Sequence, residues 1–186
     1  MRLFVALNLL KKERNRIHRI AKVLRESRIP VRWVDPQNHH VTLKFLGKVP
    51  ENRIDGIKDC LTRVASSTGD IDLSVERFGA FPTIRRPNVI SAGVEPSPSL
   101  RCLKQDLERA LKDCGFVPEE RAFHPHLTPP GRADAKGGAG AFRGPDEMAA
   151  SLPYKRQVKI RKMDLMSSEM VSGSPRYSLQ YSAAFG

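Results

Sequence analysis

Two short segments of the chain carry the same pattern: His40-Val41-Thr42 and His126-Leu127-Thr128. They lie 86 residues apart (126 − 40), and their surroundings recur at the same offset. One apolar stretch starts at Arg2, 38 residues before His40; another starts at Asn88, 38 residues before His126. Each interval contains one amphipathic helical stretch. A chain in which strand, helix and His-x-Thr strand come twice is expected to build two similar halves that face each other. In a strand, residues two apart share a face. His40, Thr42 and Lys44 are therefore expected on one face, and Val41, Leu43 and Phe45 on the other, in a core. His126 and Thr128 share a face with Leu127 opposite.

An imidazole and a hydroxyl at this spacing suit one phosphate. The hydroxyl donates to a non-bridging oxygen while the imidazole reaches an ester oxygen or a water. Two such pairs around one phosphorus supply both halves of acid–base catalysis. Histidine fits the task because its unperturbed pKa is about 6.5, so both protonation states are accessible near neutrality. The rival chemistry is zinc, with His124-x-His126 and His40 as ligands. Against it, neither segment holds a carboxylate or Cys, and the paired threonines are left unexplained. His124 reads as a structural neighbour, His39 as facing away from His40, and His18 as solvated on the basic side of the first helix.

The remaining patterning bounds the fold. Apolar runs and alternation predict strands at 2–7, 39–46, 71–78, 89–94, 124–129, 158–166 and 177–182, with helices over 10–27, 51–66 and from Pro98 to Gly115. The 186 residues suit one domain of two small lobes. With 40% hydrophobic and 28% charged residues, the composition excludes collagenous, mucin-like and wholly disordered chains. A net charge of +12 favours polyanionic partners: RNA, DNA or an anionic membrane surface. Cys60, Cys102 and Cys114 are odd in number, lack a C-x-x-C, and fall in helical segments. They are expected to be free, buried apolar groups in a reducing cytoplasm. The eight-residue stretch Leu3–Leu10 is too short for a signal peptide core and reads as a strand. No apolar run reaches the length of a membrane span. The Gly-rich stretch 133–142 reads as a surface loop.

At the two motifs the sequence resembles the two-histidine (2H) phosphoesterases, and within them the RNA 2′,3′-cyclic phosphodiesterases, historically called 2′-5′ RNA ligases. The resemblance rests on Arg2-Leu3-Phe4-Val5-Ala6-Leu7, on His40-Val41-Thr42-Leu43-Lys44-Phe45-Leu46-Gly47 and on Phe123-His124-Pro125-His126-Leu127-Thr128. It implies a bilobal α+β fold spanning 1–186, with two antiparallel sheets, helices outside and a central cleft. It implies metal-free, cofactor-free hydrolysis of RNA 2′,3′-cyclic phosphate ends, or of cyclic nucleotides, to 2′-phosphomonoesters. His40 would be the proton donor, His126 the proton acceptor, and Thr42 and Thr128 the phosphate-binding hydroxyls. A cytoplasmic monomer is expected. The alternatives are a 2′-5′ RNA ligase joining tRNA halves and a non-catalytic RNA-binding protein. Lys44 and Arg132 are the further candidates for phosphate binding. The family places an aliphatic residue and then an Arg after the second motif. Here Pro129-Pro130-Gly131 precede Arg132, and the strand is expected to stop at the prolines.

Overall fold

The computed structural model describes residues 1–26, 32–33, 38–83, 86–132, 155–171 and 174–186. The Gly-rich stretch 133–142 and the last residue of the helix expected over 10–27 lie outside these residues. In chain order the elements are β1 (Arg2–Asn8), α1 (Lys11–Glu26), β2 (Arg32–Trp33), β3 (His40–Lys48), α2 (Ile54–Ser66), β4 (Ile71–Thr83), β5 (Arg86–Val94), α3 (Pro98–Asp113), β6 (His126–Arg132), β7 (Lys155–Ile160), β8 (Lys162–Val171) and β9 (Ser174–Ala184). A 3-10 turn, Glu51–Arg53, leads into α2.

All nine strands join one antiparallel hydrogen-bonded sheet, in the order β7-β4-β5-β6-β3-β1-β8-β9, with β2 on β6. The sheet cannot be flat. β7 and β8 are six places apart in the order yet separated in sequence by Arg161 alone. Six steps of a flat sheet would cover roughly 29 Å, and one intervening residue spans about 7 Å. The sheet therefore curls until its ends approach. The narrowest ladder is at the middle, where β3 meets β6 through the pair Val41–Leu127.

The concave and convex faces are sorted by alternation along each strand. On β1, Leu3, Val5 and Leu7 turn to the helix side, where they join Ile57, Leu61 and Val64 of α2 and Leu100, Leu103, Leu107 and Leu111 of α3 in one core. Helix α3 starts as its sequence predicts: the Ser97 side chain accepts from the Leu100 amide at 3.3 Å, and Pro98 takes the first helical position. Phe4 and Ala6 turn to the opposite face, where they cluster with Met166. β1 is thus covered on both sides, which explains its unbroken apolar run.

Several expectations need correction. The predicted strand 158–166 is two strands that break at Arg161. Val158 and Ile160 are inward on β7, but Met163 and Leu165 on β8, so the inward phase slips by one residue at the corner. The strand expected over 124–129 begins at His126 and does not stop at the prolines. Ladder partners of β5 step from Ala92–Leu127 to Ile90–Gly131, so Pro129 and Pro130 fall in a register shift that asks no amide of them. Cys60 is buried as expected, but Cys102 is exposed and Cys114 caps α3 half-buried. His18 is half-buried, with Nδ1 shielded from water and its ring 6.5 Å from that of the fully buried His39.

Candidate active site

Alternation and the seam register bring the two motifs side by side. With Val41 opposite Leu127, antiparallel geometry sets His126 across from Thr42 and the backbone of Thr128 across from His40. His40 and His126 are then diagonal neighbours, about 7–8 Å apart between backbones. Val41 and Leu127 point away into the core, at 0% and 1% exposure. The side chains of Thr128 and Arg132 lie outside the described residues; both positions belong to β6.

The two imidazoles differ sharply in environment. His40 is 3% exposed and enclosed by aromatic rings. Its ring centroid lies 5.0 Å from Phe4 and 5.2 Å from Tyr177, the latter edge-on at 89°. Phe4 and Tyr177 also touch each other, with centroids 5.3 Å apart. Burial lowers the His40 pKa to about 4, overcoming a hydrogen bond to the Asn38 backbone that raises it; the nearby His126 lowers it further. His40 is thus a neutral ring at pH 7. His126 is exposed, and its Nδ1 lies 2.9 Å from the His124 carbonyl oxygen. A carbonyl can only accept, so Nδ1 carries a hydrogen and Nε2 of the neutral ring is left as a proton acceptor. That gives the exposed His124 a backbone role: it fixes the tautomer of His126. Among the described residues no three His, Cys, Asp or Glu side chains converge as a metal site.

Lys44 is a correction. It does not share the His40 face. The ladder between β1 and β3 pairs Ala6 with Thr42 but Val5 with Lys44, so Leu43 is an extra residue in a β-bulge. The bulge inverts the alternation beyond it. Lys44 is 2% exposed on the helix side, with its Nζ 2.6 Å from Glu108 Oε2 and 2.9 Å from the Val117 carbonyl. Phe45, expected in the core, is 69% exposed on the site face, with its ring 5.9 Å from Phe4. A second shift drops Leu46 from the register, and Gly47 takes a φ of 72° there, a conformation that favours glycine.

Sequence reasoning also missed Phe4 and Tyr177 as walls of the His40 pocket. Phe4 carried a signal, since an apolar residue on each face of β1 demands two covers. Tyr177 carried none; its position depends on the long β8–β9 ladder, which sets it opposite Ser168. Further along this face a buried carboxylate, Asp164, accepts from Asn8 Nδ2 at 2.8 Å and Ser182 Oγ at 2.5 Å, with Lys162 Nζ at 3.2 Å. Asn8 is the ladder partner of His40, so this group braces the strand beside the histidine.

The site is thus a curled antiparallel sheet with a His-x-Thr strand on each side of a central seam. The chain superposes on a crystal structure from Thermus thermophilus with a TM-score of 0.80, at 21% identity, covering 100% of this chain and 98% of that one. It superposes on E. coli LigT complexed with 3′-AMP with a TM-score of 0.73, at 22% identity, covering 99% and 97%. The family model described as LigT like Phosphoesterase matches residues 9–91, which include the first motif. A protein of Archaeoglobus fulgidus named RNA 2′,3′-cyclic phosphodiesterase is 35% identical over 128 residues, 69% of this chain and 70% of that protein. One of the same name from Thermotoga maritima is 33% identical over 128 residues, 69% and 68%. Another, from Methanothermobacter thermautotrophicus, is 28% identical over 186 residues, 96% and 95%. The chain belongs to the family of the RNA 2′,3′-cyclic phosphodiesterases.

Proposed function

We propose that this chain hydrolyses RNA 2′,3′-cyclic phosphate ends to 2′-phosphomonoesters, with His126 as proton acceptor and His40 as proton donor. The reading rests above all on two imidazoles set diagonally across one strand seam, one buried and one exposed. A phosphate between them can accept or relay one hydrogen bond of about 2.7–3.2 Å on each side. His126 Nε2 takes a proton from water as the water oxygen bonds to phosphorus. The bond from phosphorus to O3′ breaks, and O3′ leaves with a proton from the His40 imidazolium. His126 ends protonated and His40 neutral; solvent exchange at the exposed His126 and re-protonation of His40 reset the pair.

Protonation of His40 needs the substrate. A buried ring whose pKa is near 4 gains its proton when a phosphodiester anion lies against it, since an opposite charge within about 4–6 Å raises a histidine pKa. Thr42, next to His40 on the site face, and Thr128 donate to the non-bridging oxygens. Arg132 remains a candidate for a longer-range contact to the anion. The net charge of +12 supports a polyanionic substrate. We read the strand order, which mirrors outward from the β3/β6 seam, as two lobes, β7-β4-β5-β6 and β3-β1-β8-β9, flanking a cleft. Their strands and helices match at the 86-residue offset: β1 with β5, α1 with α3, β3 with β6. Among the described residues no helix is long and apolar enough to cross a membrane, and we take the protein as a cytoplasmic monomer. An RNA ending in a 2′,3′-cyclic phosphate tests the reading. Its conversion to a 2′-phosphate supports it; a 3′-phosphate product, or no turnover, contradicts it.

A further inference from the structure

The bulge at Leu43 decides which of two very different side chains, Lys44 or Phe45, is presented on the His40 face, where Phe45 packs on Phe4, and its carbonyl is tied down from a distance. Lys104 Nζ, on α3, donates to the Leu43 oxygen at 2.7 Å. The same ammonium binds Glu108 Oε1 at 2.5 Å and Glu119 Oε2 at 2.7 Å, and sits 5.4 Å from the centroid of the Phe123 ring. Glu108 in turn takes Lys44 Nζ on its other oxygen and the Glu119 amide at 3.4 Å. One turn of α3 therefore holds both the bulge of β3 and the segment 117–123 that runs to His124 and His126.

Stability does not explain this cluster. Lys44 and Lys104 are 2% and 7% exposed, and burying two ammonium groups carries a desolvation cost that well-packed apolar residues would avoid. Nor is the cluster part of the reacting face, because the bulge puts it on the helix side. Its distinctive effect is on register. Without a partner for the Leu43 carbonyl, the regular ladder would carry Lys44 onto the His40 face and Phe45 into the core.

We propose that Lys104 and Glu108 are positioning residues: by clamping the Leu43 bulge they keep a lysine off the His40 face, hold Phe45 against Phe4, and fix the seam between the two histidines. The inference rests on the proposed reaction in that activity is one of its readouts; the histidine spectrum is the other, and it does not depend on the substrate.

The experiment compares Lys104→Met and Lys104→Arg with the parent protein. Turnover of a 2′,3′-cyclic mononucleotide gives kcat and KM, and the ring-proton resonances of His40, shifted by Phe4 and Tyr177, report its surroundings. Lys104→Met is expected to lower kcat about 10- to 100-fold, the scale of a small misplacement of reacting groups, with KM changed less than about threefold. It is also expected to move the His40 resonances. Lys104→Arg, which keeps a cation within reach of Leu43, is expected to recover most of both. A folded Lys104→Met protein with parental kcat and unmoved His40 resonances would overturn the proposal. If Lys104→Met does not fold, the triple variant Lys44→Met, Lys104→Met, Glu108→Leu removes the charges together and is read by the same criteria. An inactive parent protein would count against the reaction and leave the resonance shift to decide the positioning role.

Discussion

His40 and His126 stand diagonally across the β3/β6 seam, with Val41 and Leu127 paired between them and turned to the core. The seam does two things at once. It aims both imidazoles at the same side of the sheet, and it gives them unlike surroundings, since His40 lies under Phe4 and Tyr177 while His126 faces water. In the free protein these surroundings leave His40 neutral, so the donor role proposed for it depends on a phosphate anion lying against the ring.

The first prediction concerns protonation. In the free protein the His40 ring is expected to titrate near pH 4, because burial disfavours the imidazolium. A histidine titration followed by NMR checks this. Adding a 2′-phosphorylated nucleotide is expected to raise the midpoint by about one to three units, as an anion beside the ring favours its charged form. A midpoint near 6.5 in the free protein would contradict the burial.

The same shift has a consequence for stability. The folded protein holds the His40 proton more weakly than the unfolded chain, so folding is unpenalised above pH 6.5 and progressively penalised as pH falls toward 4. The loss amounts to about 3 kcal/mol at most. Denaturant melts from pH 7 to pH 4 are expected to show this slope, reduced in a His40→Gln variant.

Lys44 offers a direct contrast between sequence and structure. Lys44→Met fills a similar buried volume and leaves Glu108 paired with Lys104. Substrate KM is expected to stay within about threefold of the parent, while stability changes by a few kcal/mol at most, since removal of one buried partner is partly offset by the second. A KM rise of tenfold or more would mean that Lys44 reaches the phosphate.

Phe4 is both a wall of the His40 pocket and a packed side chain, at 2% exposure. Phe4→Ala is expected to destabilise the fold by about 3–5 kcal/mol. It is also expected to raise the His40 pKa toward its ordinary value, because water enters. Phe45→Ala, at an exposed site, is expected to cost less than about 1 kcal/mol. Denaturant melts and the histidine titration separate the two.

Much of this geometry is legible from the chain. The faces of His40, Thr42 and His126 follow from simple alternation, because both motifs sit where the ladder is still regular. At the 86-residue offset the bounds of β1, α1 and β3 fall on or close to those of β5, α3 and β6. Two features escape for different physical reasons. The corner at Arg161 leaves a mark, the slip of the inward phase from Val158 and Ile160 to Met163 and Leu165, which a single long strand cannot carry. The bulge at Leu43 leaves none, because it is held by Lys104, 61 residues away, and local alternation is silent about a distant donor. That is why Lys44 and Phe45 exchange faces relative to expectation. The prolines after Thr128 mislead for a related reason: the missing amides matter only where the ladder needs them, and the β5–β6 register shift needs none there.

The most direct test is product analysis on a short RNA ending in a 2′,3′-cyclic phosphate, using the parent protein, His40→Ala and His126→Ala. The expected result is a 2′-phosphomonoester from the parent and a fall of at least about 10²-fold in kcat for each variant, the typical worth of one positioned proton transfer. Parental turnover in either variant would contradict the two-imidazole mechanism.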